Sequence, residues 1–150
     1  MTKIVVLCDN ERDRRRLCRA VGRYGINLHD HSRLPGNAFI ISRDALHALQ
    51  GDCTVVVDSS DAQALDALSH LNLTAITCGT SASDTLSLSS LTADSAAVSL
   101  QRTVTTLGGA DIEPCEIPVT ITAPIGGGCL LLSCALLILL GVDCSRGYFM

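Results

Sequence analysis

The chain has no tryptophan, and its two phenylalanines and two tyrosines bring aromatics to only 3% of 150 residues. The core must therefore be built from Leu, Val, Ile, Ala and Cys, and a surface that stacks bases on aromatic rings is not expected, which argues against nucleic acid as a partner. Lysine is nearly missing as well, with Lys3 as its sole occurrence. That excludes a phosphate-binding loop ending in Lys-Ser/Thr, in which the lysine neutralises phosphates cradled by backbone N–H groups. No Gly-x-Ser-x-Gly elbow is present for nucleophilic catalysis. Eight cysteines occur without a CxxC pair; the closest two, Cys129 and Cys134, are five apart, a poor spacing for zinc. No metal and no cofactor are expected. The opening MTKIVVLCDNERDRRR lacks the order of charge, apolar stretch and cleavage site of a signal peptide, so we expect a reducing, cytoplasmic setting. The longest apolar stretch, CLLLSCALLILLGV at Cys129 to Val142, falls short of the roughly twenty residues that span a bilayer.

What is present is apolar and unevenly charged. Hydrophobic residues make up 47% of the chain, enough for one domain with a single core over residues 1–150. The formal net charge is −4, yet seven of the eleven basic residues lie between Arg12 and Arg33. Cys8, Cys53 and Cys78 sit in or beside apolar runs, where a thiol behaves as a small buried hydrophobe.

Periodicity organises the first half as alternating strands and helices. KIVVLC at Lys3 to Cys8 reads as a strand, Asp9 and Asn10 as the turn, and Leu17, Ala20, Val21 and Tyr24 as one face of a helix stopped by Gly25. A short strand is expected at Ile26 to His29, a loop through Pro35 and Gly36, a strand at Ala38 to Ser42 and a brief helix at Asp44 to Gln50. CTVVVD at Cys53 to Asp58 is continuously apolar, as central parallel strands are. A helix at Asp61 to His70 and a strand at Leu73 to Cys78 follow. From Thr80 the chain turns Ser/Thr-rich and alternating, which predicts antiparallel strands near Ala97 to Thr105 and Glu116 to Thr122, with Gly108 and Gly109 as their turn. The final apolar stretch predicts a buried helix, or, were it exposed, a homodimer interface. The fold class is thus α/β: a Rossmann-like parallel sheet, an antiparallel β-ribbon and a buried C-terminal helix.

From Cys53 to Val142 this order of elements resembles the closing part of the central domain of the Mur ligases. Asp58 to Asp61 corresponds to that family's turn after a strand, Thr77 to Gly79 to its strand end and Gly126 to Val142 to its glycine-led helix. The resemblance implies a site for a nucleotide or a UDP-linked sugar, with Asp58, Ser59, Asp61, Gly126, Gly127 and Gly128 as its candidate residues; Asp9 and Asn10, at the end of the first strand and outside the matched stretch, are further ligand-binding candidates. The departures are equally specific. The family's phosphate loop and its modified lysine have no counterpart, and Gly127, Gly128 and Ser133 stand where the helix would carry a His and an Asn. A non-catalytic binding or regulatory module linked to peptidoglycan precursors is what remains.

Other constellations compete. Asp9 after the first strand and Asp58 after a central one also resemble a response-regulator receiver with Asp58 as phosphoacceptor, although the receiver's lysine is absent. Arg12, Arg15 and Arg16 at the start of a helix suit an anion, yet Glu11 and Asp13 are interspersed, as on a solvated face. His29 and His31 alternate on one strand face but lack a third ligand. The glycine run Gly126 to Gly128 reads either as a functional loop or simply as the start of a helix.

Overall fold

The computed structural model describes residues 3–30, 38–49 and 51–150. His31, the loop through Pro35 and Gly36, and Gln50 lie outside the described residues. The strands are β1 (Lys3–Leu7), β2 (His29–Asp30), β3 (Ala38–Ile41), β4 (Cys53–Asp58), β5 (Thr74–Gly79), β6 (Leu86–Leu91), β7 (Ser95–Leu100), β8 (Val104–Thr105), β9 (Asp111–Ile112), β10 (Cys115–Thr120) and β11 (Tyr148–Phe149). The α-helices are α1 (Glu11–Gly22), α2 (Ala62–Ser69) and α3 (Gly127–Leu139). Among the described residues nine strands share one sheet, in the order β11-β10-β7-β6-β5-β4-β1-β3-β2. Pairing is parallel from β2 to β6, antiparallel for β6–β7 and β7–β10, and parallel again at β10–β11. This is the Rossmann-like α/β fold with a ribbon and a buried C-terminal helix.

Local chemistry explains the boundaries. Asn10 caps α1 by accepting the N–H groups of Arg12 and Asp13, and Asp61 caps α2 by accepting that of Ala64. Gly25 (φ +76°) and Gly141 (φ +83°) end α1 and α3 in the left-handed conformation. After each, the next N–H reaches back five residues, Ile26 to Val21 and Val142 to Leu137, closing a Schellman motif.

Three expected elements differ. The second strand is His29–Asp30 rather than Ile26 to His29, because Ile26 is consumed in closing α1. The brief helix is a 3₁₀ turn, Arg43–Ala48, that tightens the passage between two strands. Gly108 and Gly109 do not join the ribbon strands directly. Residues 101–114 separate β7 from β10, too long a link for a tight turn, and fold as the β8–β9 hairpin with Gly109 at φ +89°. That hairpin buries Val104, and its Leu107 N–H bonds the carbonyl of Leu139 at 2.7 Å, sealing the end of α3.

The core lies on both faces of the parallel half but on one face of the ribbon. Val5, Leu7, Val55 and Val57 pack on one side against Ala64, Leu68 and Leu46. On the other side Ile4, Val6, Val56, Cys78, Leu86, Val98, Ile117 and Val119 surround α3, and α1 adds Leu17, Ala20 and Val21. Every residue of α3 from Cys129 to Leu139 is buried by its own chain, so the exposed apolar face that would join two copies through this helix does not exist. No helix among the described residues is long and apolar enough to cross a membrane. The thiols of Cys8, Cys53 and Cys78 are buried as expected, joined by Cys129 and Cys134. Burial pushes Cys8 up to about 11 and Cys129 up to about 12, so both stay protonated near neutrality.

Candidate functional site

Parallel neighbours usually need a crossover of a dozen residues or more. β5 and β6 avoid it by stagger: they share only the pairs Cys78↔Leu86 and Gly79↔Ser87, so β6 begins where β5 ends. The short link 80–85 suffices, and β6 continues beyond the carboxyl ends of β4 and β5. The result is a walled cleft of about 440 Å³. It is lined by Asp58 at the end of β4, Ser59 and Ser60 just after it, Cys78 and Gly79 of β5, Leu88 of β6, and the first turn of α3, Gly127 and Gly128. Thr80, Ser81 and Asp84 from the link complete it.

Glycine lets these walls approach closely. A β-carbon at position 79 would overlap both Ser59 Oγ and Asp84 Oδ2. One at position 128 would stand 3.0 Å from Asp58 Oδ2, and one at 127 would be 3.0 Å from Leu88 Cδ2. The Asp58 carboxylate therefore faces the start of α3, where the helix dipole favours negative charge. Its Oδ1 accepts the Ser60 N–H (2.9 Å) and Oγ–H (2.8 Å). Asp84 is buried, and its Oδ2 accepts the Ser81 N–H at 3.0 Å. Gln101 clamps the same link, donating from Nε2 to the carbonyls of Ser81 (3.0 Å) and Asp84 (2.9 Å). The site is thus held before any ligand arrives.

α3 brings its first turn to this cleft. Gly126, its N-cap, has no side chain to offer, so the leading N–H groups lack the usual cap from that position. The run Gly126 to Gly128 is the start of a helix, and two of its members also line the cleft.

The other candidates lie elsewhere. Sheets of this kind commonly bind ligands where strand order reverses, here between β1 and β4. That crevice is closed by the chain itself. Asp9 Oδ1 accepts the Arg43 N–H (2.8 Å), the Arg43 guanidinium pairs with Asp61 Oδ1 (3.0 Å), and Arg14 Nε donates to the Cys8 carbonyl (2.6 Å). Asp9, Asn10 and Asp61 are accordingly occupied with capping and pairing. Of the arginines, Arg12 and Arg15 are exposed on α1, Arg15 beside Glu11 at 3.9 Å. Arg16 borders a shallow depression with Gly126 and Pro124. Arg19 of the same helix and its C-cap residue Arg23 tie it to Pro124 and Thr122. Among the described residues no three His, Cys, Asp or Glu side chains gather into a metal site.

A second cavity of about 410 Å³ opens at the amino ends of β4 and β5, lined by Thr54, Thr74 and Thr103 to Leu107. It lacks carboxylates apart from Asp52 and has no helix start aimed at it, so the upper cleft is the stronger site. Sequence reasoning placed Asp58, Ser59, Gly127 and Gly128 in it but missed Asp84. Its only signal was an acidic residue in a run of serines, SASDTLSLSS, which reads as an ordinary exposed strand or loop. No protein-family model, curated protein or solved structure matches this chain.

Proposed function

We propose that the chain is a non-catalytic, Mur-ligase-like binding module that holds a hydroxyl-rich small ligand in the upper cleft, of the class of a nucleotide or UDP-linked sugar from peptidoglycan precursor metabolism. The observation that carries this reading is the lining itself. Two carboxylates, Asp58 and Asp84, and the hydroxyls of Ser59, Ser60, Thr80 and Ser81 converge on a cleft that has no basic side chain in its lining. Carboxylates and hydroxyls take sugar hydroxyl groups as hydrogen-bond donors. The start of α3 supplies N–H groups for a phosphate oxygen, a role helix N-termini fill without lysine or arginine. The missing phosphate loop and lysine weigh against ATP-driven ligation, and a preformed cleft suits binding.

The test is a thermal-shift screen of the whole chain against UDP-N-acetylmuramic acid, UDP, ATP with magnesium and beryllofluoride with magnesium. A ligand at a hundred times its Kd adds about 2.7 kcal/mol to stability, roughly 5–10 °C for a chain of this size. The expected result is a shift with a UDP-linked sugar that Asp84→Asn reduces. Silence from all ligands sinks the reading. A shift with beryllofluoride alone, lost in Asp58→Ala, replaces it with the receiver-like role of Asp58; that role has less support, because Ser60 holds one oxygen of Asp58 and Arg43 holds Asp9.

A further inference from the structure

The start of β10 and the turn before β11 bring two cysteines together outside the lining of the cleft. In β10, Ile117 and Val119 are buried against α3, and by strand alternation Cys115 points to the same face, at the exposed end of the strand. β11 runs parallel to β10 with Val119↔Tyr148 and Thr120↔Phe149. The preceding turn, Cys144 to Gly147, is closed by the Gly147 N–H on the Cys144 carbonyl at 3.0 Å. Gly147, at φ +80°, presses so closely on β10 that a β-carbon there would overlap the Pro118 carbonyl oxygen. Asp143 holds the turn from the other end, accepting the Ser145 N–H and Oγ–H at 2.9 Å each. Turn and strand are thereby locked side by side, with the Cys144 thiol close enough to Cys115 for Cys115 to raise its cost of ionising.

We propose that Cys115 and Cys144 form a dithiol site that low-molecular-weight disulfides oxidise to an intramolecular disulfide, a reversible modification that ties the turn after α3 to the sheet. Accessibility sets the order of events. Cys115 is exposed and Cys144 is half-buried, its thiol raised first by burial and then by Cys115 itself. The Cys115 thiolate attacks one sulfur of the small disulfide, whose second sulfur leaves as a thiolate. Cys144 then loses its proton to solvent and attacks Cys115 Sγ, expelling the remaining small thiol. Two protein thiols are oxidised and one small disulfide is reduced to two thiols. The bond encloses β10 and all of α3, so it restricts the unfolded chain over the segment that fills the core.

The experiment treats the purified chain with oxidised glutathione and counts free thiols after denaturation. Eight thiols should fall to six. Cleavage after Glu116 separates Cys115 from Cys144, so only a disulfide keeps those fragments together. The melting temperature should rise by roughly 5–10 °C and return when reductant is added. Cys18→Ser, removing an exposed thiol on α1, should leave all of this intact, whereas Cys115→Ser should abolish the intramolecular bond, and Cys144→Ser should leave glutathione attached to Cys115. A count that stays at eight, or a bond that persists in Cys115→Ser, overturns the proposal.

Discussion

β4 and β7 are both six-residue strands of one sheet, yet they meet water differently. In β4, CTVVVD, successive valines are buried on both sides, because α2 and the 3₁₀ turn cover one face while α3 covers the other. In β7, SAAVSL, burial alternates: Ala96, Val98 and Leu100 enter the core and Ser95, Ala97 and Ser99 do not. The boundary falls at β5, where Thr77 is half-buried and Ala75 exposed on the side α2 has ceased to cover. Cover by helices decides whether a strand must be apolar throughout or only at every second position. α3 belongs to both regions, and the candidate cleft lies where they meet.

Removing that common element should have the largest effect. Leu136→Ala, at a fully buried site on α3, should cost about 3–5 kcal/mol by urea denaturation. A loss below ~1 kcal/mol would mean that the helix does not unite the two regions. Alkali attacks the same core. The thiols of Cys8, Cys78, Cys129 and Cys134 all lie in the core on the α3 side of the sheet and all titrate higher in the folded chain than their ordinary value of 9.0, chiefly through burial. The unfolded chain therefore releases protons first as pH rises, so stability is intact below pH 9 and is lost progressively above it. A melting temperature that stays flat from pH 9 to 11 would contradict this burial.

Smaller substitutions sharpen the contrast between strands. Val55→Thr buries a hydroxyl within the doubly covered sheet and should cost about 1–3 kcal/mol. Gly79→Ala, at the meeting of β4, β5 and the link, should cost a similar ~1–3 kcal/mol by overpacking and also erase any ligand-induced shift, since Ser59 and Asp84 must move. Asp61→Ala removes the cap of α2 and the partner of Arg43, for about 1 kcal/mol. Ser99→Val, on the open face of the ribbon, should change stability by no more than ~0.5 kcal/mol. An equal cost for Val55→Thr and Ser99→Val would erase the distinction between the two regions.

The strands with continuous apolar runs and the helices with one apolar face were legible from the residues themselves. β1 and β4, the helices α1 and α2 and the apolar α3 all stand close to where local pattern places them. The antiparallel character of the ribbon was equally readable from its alternation. The β8–β9 hairpin was not, because Gly108 and Gly109 mark a turn without saying which strands flank it. Nor was the division among the candidate residues: Asp9, Asn10, Asp58 and Asp61 look alike in sequence, each an acidic or amide side chain after a strand. Of the four only Asp58 lines the cleft, and the reason is nonlocal, since Arg43 from the 3₁₀ turn reaches Asp9 and Asp61 but not Asp58.

Sequence alone therefore determined the longer elements, β1, β4, α1, α2 and α3, and which residues each must bury, because those properties follow from side-chain period and backbone freedom within a few residues. Tertiary structure alone decided that β6 starts where β5 stops, that Asp84 joins Asp58 beneath the glycine start of α3, and that Cys115 meets Cys144. Each of these depends on stagger or packing between segments distant in the chain, and no local pattern of residues encodes those distances.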